Sequence, residues 1–256
     1  MSYAPKWTHR FKLKSETWVF VPTADTLKTG KLIKRHVALK WSPPDNYYHL
    51  REGGHVDAIK KHVGGKFFIH ADLRRFFNQI NRTRVTRELR PLFGYALARQ
   101  YAIESTVPIW VGVDKKYVLP FGFVQSTLIA SLCLYKSKLG RVLRELEKTP
   151  GVSVSVYMDD ILISTQELAV AETALECVRN ASERSGLPLN EAKLEGPADQ
   201  VTAFNIRLNE FSVRLTSKRI DEFKLGYIEA ASEKQRLGIL SYVEAVNSAQ
   251  VHDVKT

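Results

Sequence analysis

The stretch Val152-Ser153-Val154-Ser155-Val156 alternates apolar and small polar side chains with period two, and Ile161-Leu162-Ile163 resumes as an apolar run four residues later. The pattern predicts two strands joined by a tight turn at Tyr157-Met158-Asp159-Asp160. A third apolar run, from Phe67 to Ala71, predicts a strand that ends at Asp72. Helical spacing appears in two places. Leu128, Leu132, Tyr135, Leu139 and Val142 mark one helix, entered at Ser126 or Thr127 as N-cap. Leu168, Ala171, Leu175, Val178 and Ala181 mark another over residues 167–185, with Gly186 just past its end. Gly53-Gly54 predicts a turn before a short helix, and Gly30, flanked by Lys28, Lys31, Lys34 and Arg35, a strand-turn-strand. Residues 203–208 and 211–215 predict a short hairpin, and residues 218–224 and 238–246 two amphipathic helices. The mixture is α+β.

Composition sharpens this picture. At 256 residues with 44% hydrophobic content, the chain supports a sizeable core. Its 38 Lys and Arg against 27 Asp and Glu leave +11, which suits a polyanionic partner. Residues 1–66 hold 13 Lys and Arg and 5 Asp and Glu, so the N-terminal quarter is basic. Trp7, Trp18, Trp41, Tyr47 and Tyr48 are interleaved with that charge, a combination that suits stacking on unpaired bases; core packing explains Trp18 equally well. Cys133 and Cys177 fall on apolar helix faces and read as reduced core residues. The segment Met1 to Trp7 has no apolar signal core, and no run of about 18 apolar residues exists. A soluble, intracellular protein with no membrane partner is expected. His49, His55 and His62 stand six and seven residues apart, spacings that fit no common zinc pattern.

The candidate chemistry lies at the turn. Asp159 and Asp160 at a hairpin tip repel each other and call for a cation. An Asp-Asp pair alone is an ordinary solvated turn. A third carboxylate, Asp72, closes another strand, and three carboxylates are the hard oxygen donors that hold Mg²⁺ around a phosphoryl group.

These stretches resemble the motifs of reverse transcriptases, in order. Asp72 followed by Phe76 and Phe77 resembles motif A; Pro120, Gly122 and Ser126 resemble motif B, with Phe121 and Thr127 departing from its Gln and Pro. Tyr157-Met158-Asp159-Asp160 resembles the metal-binding turn, and Gly186-Leu187-Pro188-Leu189-Asn190 with Lys193 resembles motif D. The hairpin near residues 203–215 resembles motif E, the primer grip. The likeness covers roughly residues 45 to 215.

The resemblance implies a right-hand polymerase: fingers over 1–66, a palm of antiparallel sheet and helices with remaining fingers elements over 67–215, and a short helical thumb over 216–256. It implies two Mg²⁺ ions, with Mn²⁺ as a substitute, on Asp72, Asp159 and Asp160, assisted by the Leu73 carbonyl and supported by Tyr157 and Met158. Phe77 would exclude a 2′-hydroxyl. Phe121 and Gly122 would contact the nucleotide, Lys34 and Arg35 its triphosphate, and Lys193 the pyrophosphate. The implied partners are an RNA template, the DNA product and deoxynucleoside triphosphates.

The short C-terminal region and the departures in motif B resemble bacterial enzymes related to retrons and to phage defence. A Val-Thr-Gly thumb signature is missing, which favours a non-retron, defence-associated group. Such an enzyme would copy a dedicated non-coding RNA in the cytoplasm, with copies of itself or a second protein as possible subunits. Two other readings stay open: an untemplated or protein-primed DNA polymerase, and a non-catalytic RNA-binding protein. Phe77 disfavours an RNA-dependent RNA polymerase.

Overall fold

The computed structural model describes residues 5–14 and 17–255. In chain order the elements are β1 (Trp7–Lys14), β2 (Thr17–Pro22), α1 (Ala24–Lys40), α2 (Gly54–Lys60), β3 (Phe67–Asp72), α3 (Phe76–Gln79), α4 (Arg82–Glu104), β4 (Val107–Val111), β5 (Asp114–Val118), α5 (Ser126–Lys136) and α6 (Lys138–Glu147). There follow β6 (Ser153–Tyr157), β7 (Asp160–Thr165), α7 (Leu168–Arg184), β8 (Glu195–Ala198), β9 (Gln200–Ala203), β10 (Ile206–Asn209), β11 (Val213–Leu215), α8 (Ser217–Ile228), α9 (Glu233–Val246) and α10 (Val251–Lys255). Residues 1–4, which open the segment without an apolar core, lie outside the described residues.

The chain forms two compact units, each built from three separated segments. The first takes the residues up to Pro44, Leu73–Val142 and Ala181–Pro188; the second takes Asp45–Asp72, Leu143–Asn180 and the residues from Leu189 onward. Charge follows the units. The segments of the first carry 22 Lys and Arg against 6 Asp and Glu, and those of the second carry 16 against 21. The basic surplus is therefore not confined to the N-terminal quarter, because residues 73–142 contribute more of it than residues 1–44 do.

In the first unit the β1–β2 hairpin, the β4–β5 hairpin and helices α1, α4 and α5 surround a core that includes Phe20, Val107 and Phe123. The strand-turn-strand expected around Gly30 is instead the helix α1. Thr23 caps it by accepting from the Thr26 N–H at 3.2 Å, and Gly30, Ile33 and Val37 form its buried stripe. Gly30 serves close packing, since a Cβ there would stand 2.3 Å from Gln125 Oε1. The helix expected from residue 128 to 142 is two. Ser137 ends α5 by donating to the Leu134 carbonyl at 2.6 Å and accepts from the Gly140 N–H at 3.0 Å at the start of α6. Neither Ser126 nor Thr127 is the N-cap of α5; that position is Gln125, without a side-chain cap, and Ser126 is buried inside the first turn.

Gly122 has φ +100, and a Cβ there would stand 2.2 Å from the carbonyl oxygen of Phe20, whose own N–H donates to Phe121 O at 2.9 Å. Gly122→Ala is expected to destabilise the protein by about 2–4 kcal/mol, read as a lower denaturant midpoint. A midpoint equal to the parent's would show that β2 yields freely.

In the second unit β6, β7, β3 and β8 form, in that order, an antiparallel sheet, and β9, β10 and β11 a second. Phe68, Leu162, Ile206, Leu208, Ile220 and Val243 belong to one core. The hairpin expected over 203–215 is the β10–β11 pair, but Phe204 and Asn205 are not strand residues. Both have positive φ, 56 and 61, and make the two-residue turn between β9 and β10. Cys133 is buried as expected, whereas Cys177 is exposed. It lies two positions after Leu175, roughly 200° round α7, and so off the buried stripe of Ala171, Ala174, Leu175, Val178 and Ala181. Trp41, Tyr47 and Tyr48 are buried core aromatics, not stacking surfaces.

Candidate active site

Strand β3 is flanked by β7 and β8 and buried along nearly its whole length, which explains its apolar sequence. Its register with β7 sets Asp72 directly opposite Asp160, and the register of β6 with β7 sets Tyr157 opposite Asp160. Met158 and Asp159 are thus the two turn residues, with Met158 held at φ +60. Two carboxylates directly opposite on antiparallel strands repel, and Asp159 adds a third charge at the same end of the sheet.

Each carboxylate is held differently. Asp72 accepts from Asn190 Nδ2 at 3.0 Å on Oδ1 and from Lys193 Nζ at 2.8 Å on Oδ2. Asn190 also donates its backbone N–H to the Asp72 carbonyl at 2.8 Å, so the segment after α7 is tied to the end of β3. Asp160 Oδ1 lies 2.8 Å from His70 Nε2; His70 and Asp72, two residues apart on β3, share a face. The carboxyl of Asp159 is pushed up to about 6, first by burial, then by the charges of Asp160 and Asp72, with Lys193 opposing. The Lys193 ammonium is held above its ordinary value, chiefly by its bond to Asp72.

The turn has its own support. The N–H of Met158 donates to His49 Nδ1 at 2.9 Å, which requires a lone pair on that nitrogen, and burial holds His49 down at about 4. Tyr157 packs edge-on against His49, His55 and Phe204 at 5.2–5.8 Å between ring centroids. His62 is buried and bonds Ser155 Oγ and Ser164 Oγ, both at 2.8 Å, clamping β6 to β7. His55 Nε2 lies 2.8 Å from Tyr242 Oη. The three histidines considered for zinc thus each have a hydrogen-bonding role around the carboxylate hairpin.

Asp72, Asp159, Asp160 and Lys193 therefore all stand in the second unit. Among the described residues, no three or more His, Cys, Asp or Glu side chains are already gathered as a metal cluster, since Asp72 is turned to Lys193 and Asp160 to His70. The donor chemistry nevertheless fits Mg²⁺: three carboxylates against the single ammonium of Lys193, the hard oxygen donors that ion takes.

The remaining sequence candidates lie in the first unit. Phe77 is buried, 2% exposed, with its ring 4.4 Å from that of Phe121; Phe76 is equally buried. The Leu73 side chain is buried. Gly122 makes its close approach to Phe20, and Lys34 and Arg35 are exposed on α1. His70, His49, Asn190 and Phe204 are contributors that sequence reasoning left without a role at these carboxylates. The two-residue offset of His70 from Asp72 is the one signal that would have found one of them.

The residues 21–217 match the family model described as reverse transcriptase (RNA-dependent DNA polymerase), starting upstream of residue 45, where the motif likeness begins. Among solved structures, telomerase from Candida albicans in complex with a fragment of telomeric RNA aligns with a TM-score of 0.55 at 12% identity, over 91% of this chain and 48% of that one. A foamy viral protease-reverse transcriptase in complex with double-stranded DNA aligns at 0.50 and 20% identity, over 91% and 41%. Apo telomerase from Candida tropicalis gives 0.50 and 12%, over 85% and 43%. The chain spans less than half the length of each of these structures. The fold is that of the right-hand polymerases. By the family match over most of its length, the chain belongs to the reverse transcriptase family.

Proposed function

We propose that this chain is an RNA-directed DNA polymerase that extends a DNA strand on an RNA template. The observation that carries the reading is the register that sets Asp72 opposite Asp160 with Asp159 in the adjoining turn, inside a chain of this family. Asp72, Asp159 and Asp160 would hold two Mg²⁺ ions, with Mn²⁺ as a substitute and the Leu73 carbonyl assisting. Bound there, the ions supply activation of a primer 3′-hydroxyl and neutralisation of the departing pyrophosphate.

The chain's own residues prepare that chemistry. His70 orients the Asp160 carboxylate, Asn190 orients Asp72, and His49 holds the Met158 N–H and with it the aim of Asp159. Asp159, though raised to about 6, is ionised near neutral pH and so would serve as a donor. Lys193 carries a proton at Nζ on Asp72 Oδ2, and with that oxygen given to a cation the ammonium would be available to the pyrophosphate oxygens. Lys34 and Arg35 would meet the triphosphate, and Phe121 and Gly122 the nucleotide.

Phe77 would act as the barrier to a 2′-hydroxyl. Phe77→Val is expected to raise ribonucleotide incorporation relative to deoxynucleotide by at least about tenfold, since relief of a steric clash of 1–3 kcal/mol is worth roughly that factor. Single-nucleotide extension with matched ribo and deoxy substrates measures it, and unchanged sugar discrimination would remove Phe77 from the role.

The departures at Phe121 and Thr127 support a narrower reading: a bacterial cytoplasmic enzyme that copies a dedicated non-coding RNA in anti-phage defence, alone or with further subunits. Sequencing the RNA and DNA that copurify with the parent protein and with Asp159→Ala tests both levels. A specific RNA in both samples, with complementary DNA only in the parent, supports templated synthesis and names the template. Repetitive DNA matching no bound RNA would replace this reading with untemplated synthesis. RNA without DNA in either sample would favour a non-catalytic RNA-binding protein.

A further inference from the structure

The β4–β5 hairpin of the first unit carries an exposed face with no part in the carboxylate chemistry. Its register pairs Trp110 with Lys115 and Pro108 with Tyr117, and residues directly opposite share one face of a hairpin. Along that face aromatics and cations alternate. The Arg82 guanidinium lies 3.7 Å from the Tyr117 ring centroid, and Lys115 Nζ lies between Tyr117 at 5.7 Å and Trp110 at 6.0 Å. Trp110 is 69% exposed, a large apolar residue left in water. Beside Tyr117 the face opens into a cleft of about 340 Å³ lined by Lys6, Trp7, Arg82, Thr106, Pro108 and Tyr117. Arg82 is fixed there by its Nε–H bond to Thr106 Oγ1 at 2.9 Å.

We propose that this face of the β4–β5 hairpin, with its adjoining cleft, is a binding site for single-stranded nucleic acid separate from the catalytic carboxylates. Flat rings interleaved with cations match the two repeating parts of an unpaired strand: bases stack on Trp110 and at the mouth of the cleft against Tyr117, while Lys115 and Arg82 meet phosphates. A protein-docking face would surround an exposed Trp with apolar neighbours. Here the neighbour opposite Trp110 is a lysine, the exposed Val113 lies in the turn between the strands, and the hairpin belongs to the unit whose segments carry the 22 cationic side chains against 6 anionic. The site would hold a strand without metal.

Fluorescence anisotropy of the full chain in excess chelator, with labelled oligouridylate and oligothymidylate of about 20 nucleotides, tests it. Trp110→Ala is expected to weaken binding by about tenfold, with Trp110→Phe within about twofold of the parent. Lys115→Gln is expected to reduce the slope of log affinity against log salt by about one. Lys116→Gln, on the opposite face, should stay within about twofold of the parent. Crosslinking through 5-iodouridine should mark the peptide containing Trp110 or Tyr117. Preference for uridylate assigns the site to RNA and equal binding to either strand, and both support it. Unchanged affinity in Trp110→Ala, crosslinks confined to other segments, or a shift of Trp110→Ala to a smaller species in sedimentation velocity would each overturn it, the last by making this face an interface between copies. The readout needs no synthesis, so its failure leaves the polymerase reading untouched.

Discussion

Replacing Asp159 or Asp72 by asparagine should lower deoxynucleotide incorporation by at least about 10³-fold while leaving nucleic-acid affinity in chelator unchanged, because, on the proposed reading, one carboxylate fewer at the metal ions removes several kcal/mol of charge stabilisation. Asparagine preserves size and shape at both positions and deletes only the charge. The two are not equivalent in the metal-free protein. Asp72 is bonded by Asn190 and Lys193, so Asp72→Asn also releases Lys193, whereas Asp159 suffers first burial and then repulsion from Asp160 and Asp72. Primer extension and metal-free anisotropy on the same preparations check the pair. Synthesis retained in both variants would overturn the carboxylate assignment.

The same asparagine at 159 should raise the stability of the metal-free protein at pH 7.5 by about 2 kcal/mol, or roughly 5 °C in melting temperature. The direction follows from linkage. Asp159 is raised from 3.8 to about 6, so the native state keeps a proton that the unfolded chain has lost; the stability held below pH 3.8 is given up as pH rises through 6. His62 and His49 act oppositely. Burial depresses them from 6.5 to about 3 and about 4, so their contribution is complete above pH 6.5 and is lost as pH falls toward those values.

The two histidines together are displaced further than Asp159, so the parent should lose stability on acidification from pH 6.5 to 4.5. Asp159→Asn, lacking the opposing group, should lose it more steeply. Melting temperatures in chelator from pH 7.5 to 4.5, repeated with Mg²⁺, measure both effects. Mg²⁺ should raise the parent's midpoint near neutrality and so narrow the gap to the variant. Superimposable profiles in chelator would show that Asp159 carries no unbalanced charge.

Much of the carboxylate hairpin was legible because local periodicity and local chemistry coincide there. Alternation over residues 152–156, the apolar resumption at Ile161 and the apolar run before Asp72 specify strands that the sheet then pairs. The helix over Leu168–Arg184 and the Gly186 stop, at φ +58, were legible for the same reason. Where local signals conflicted, the long-range contact won. Gly30 reads as a turn in a window of charges, yet it lies inside a helix because Gln125, distant in sequence, fills the space its missing side chain leaves. Ser126 reads as a cap but is buried, and Phe204-Asn205 reads as strand but turns, because β9 pairs with β10 at that point.

The sequence by itself marked three candidate carboxylates, the strands that carry them and the family, since each is written in residue types at short spacing. Only the tertiary structure decided that Asp72 faces Asp160, that Lys193 and Asn190 reach Asp72 from more than a hundred residues away, and that His49 supports Met158. Strand register and hydrogen-bond partners across such separations depend on how whole sheets pack, and no local window of sequence contains that information. Charge gives the same lesson: the count is in the sequence, but its concentration in one unit arises only when segments far apart in the chain fold together.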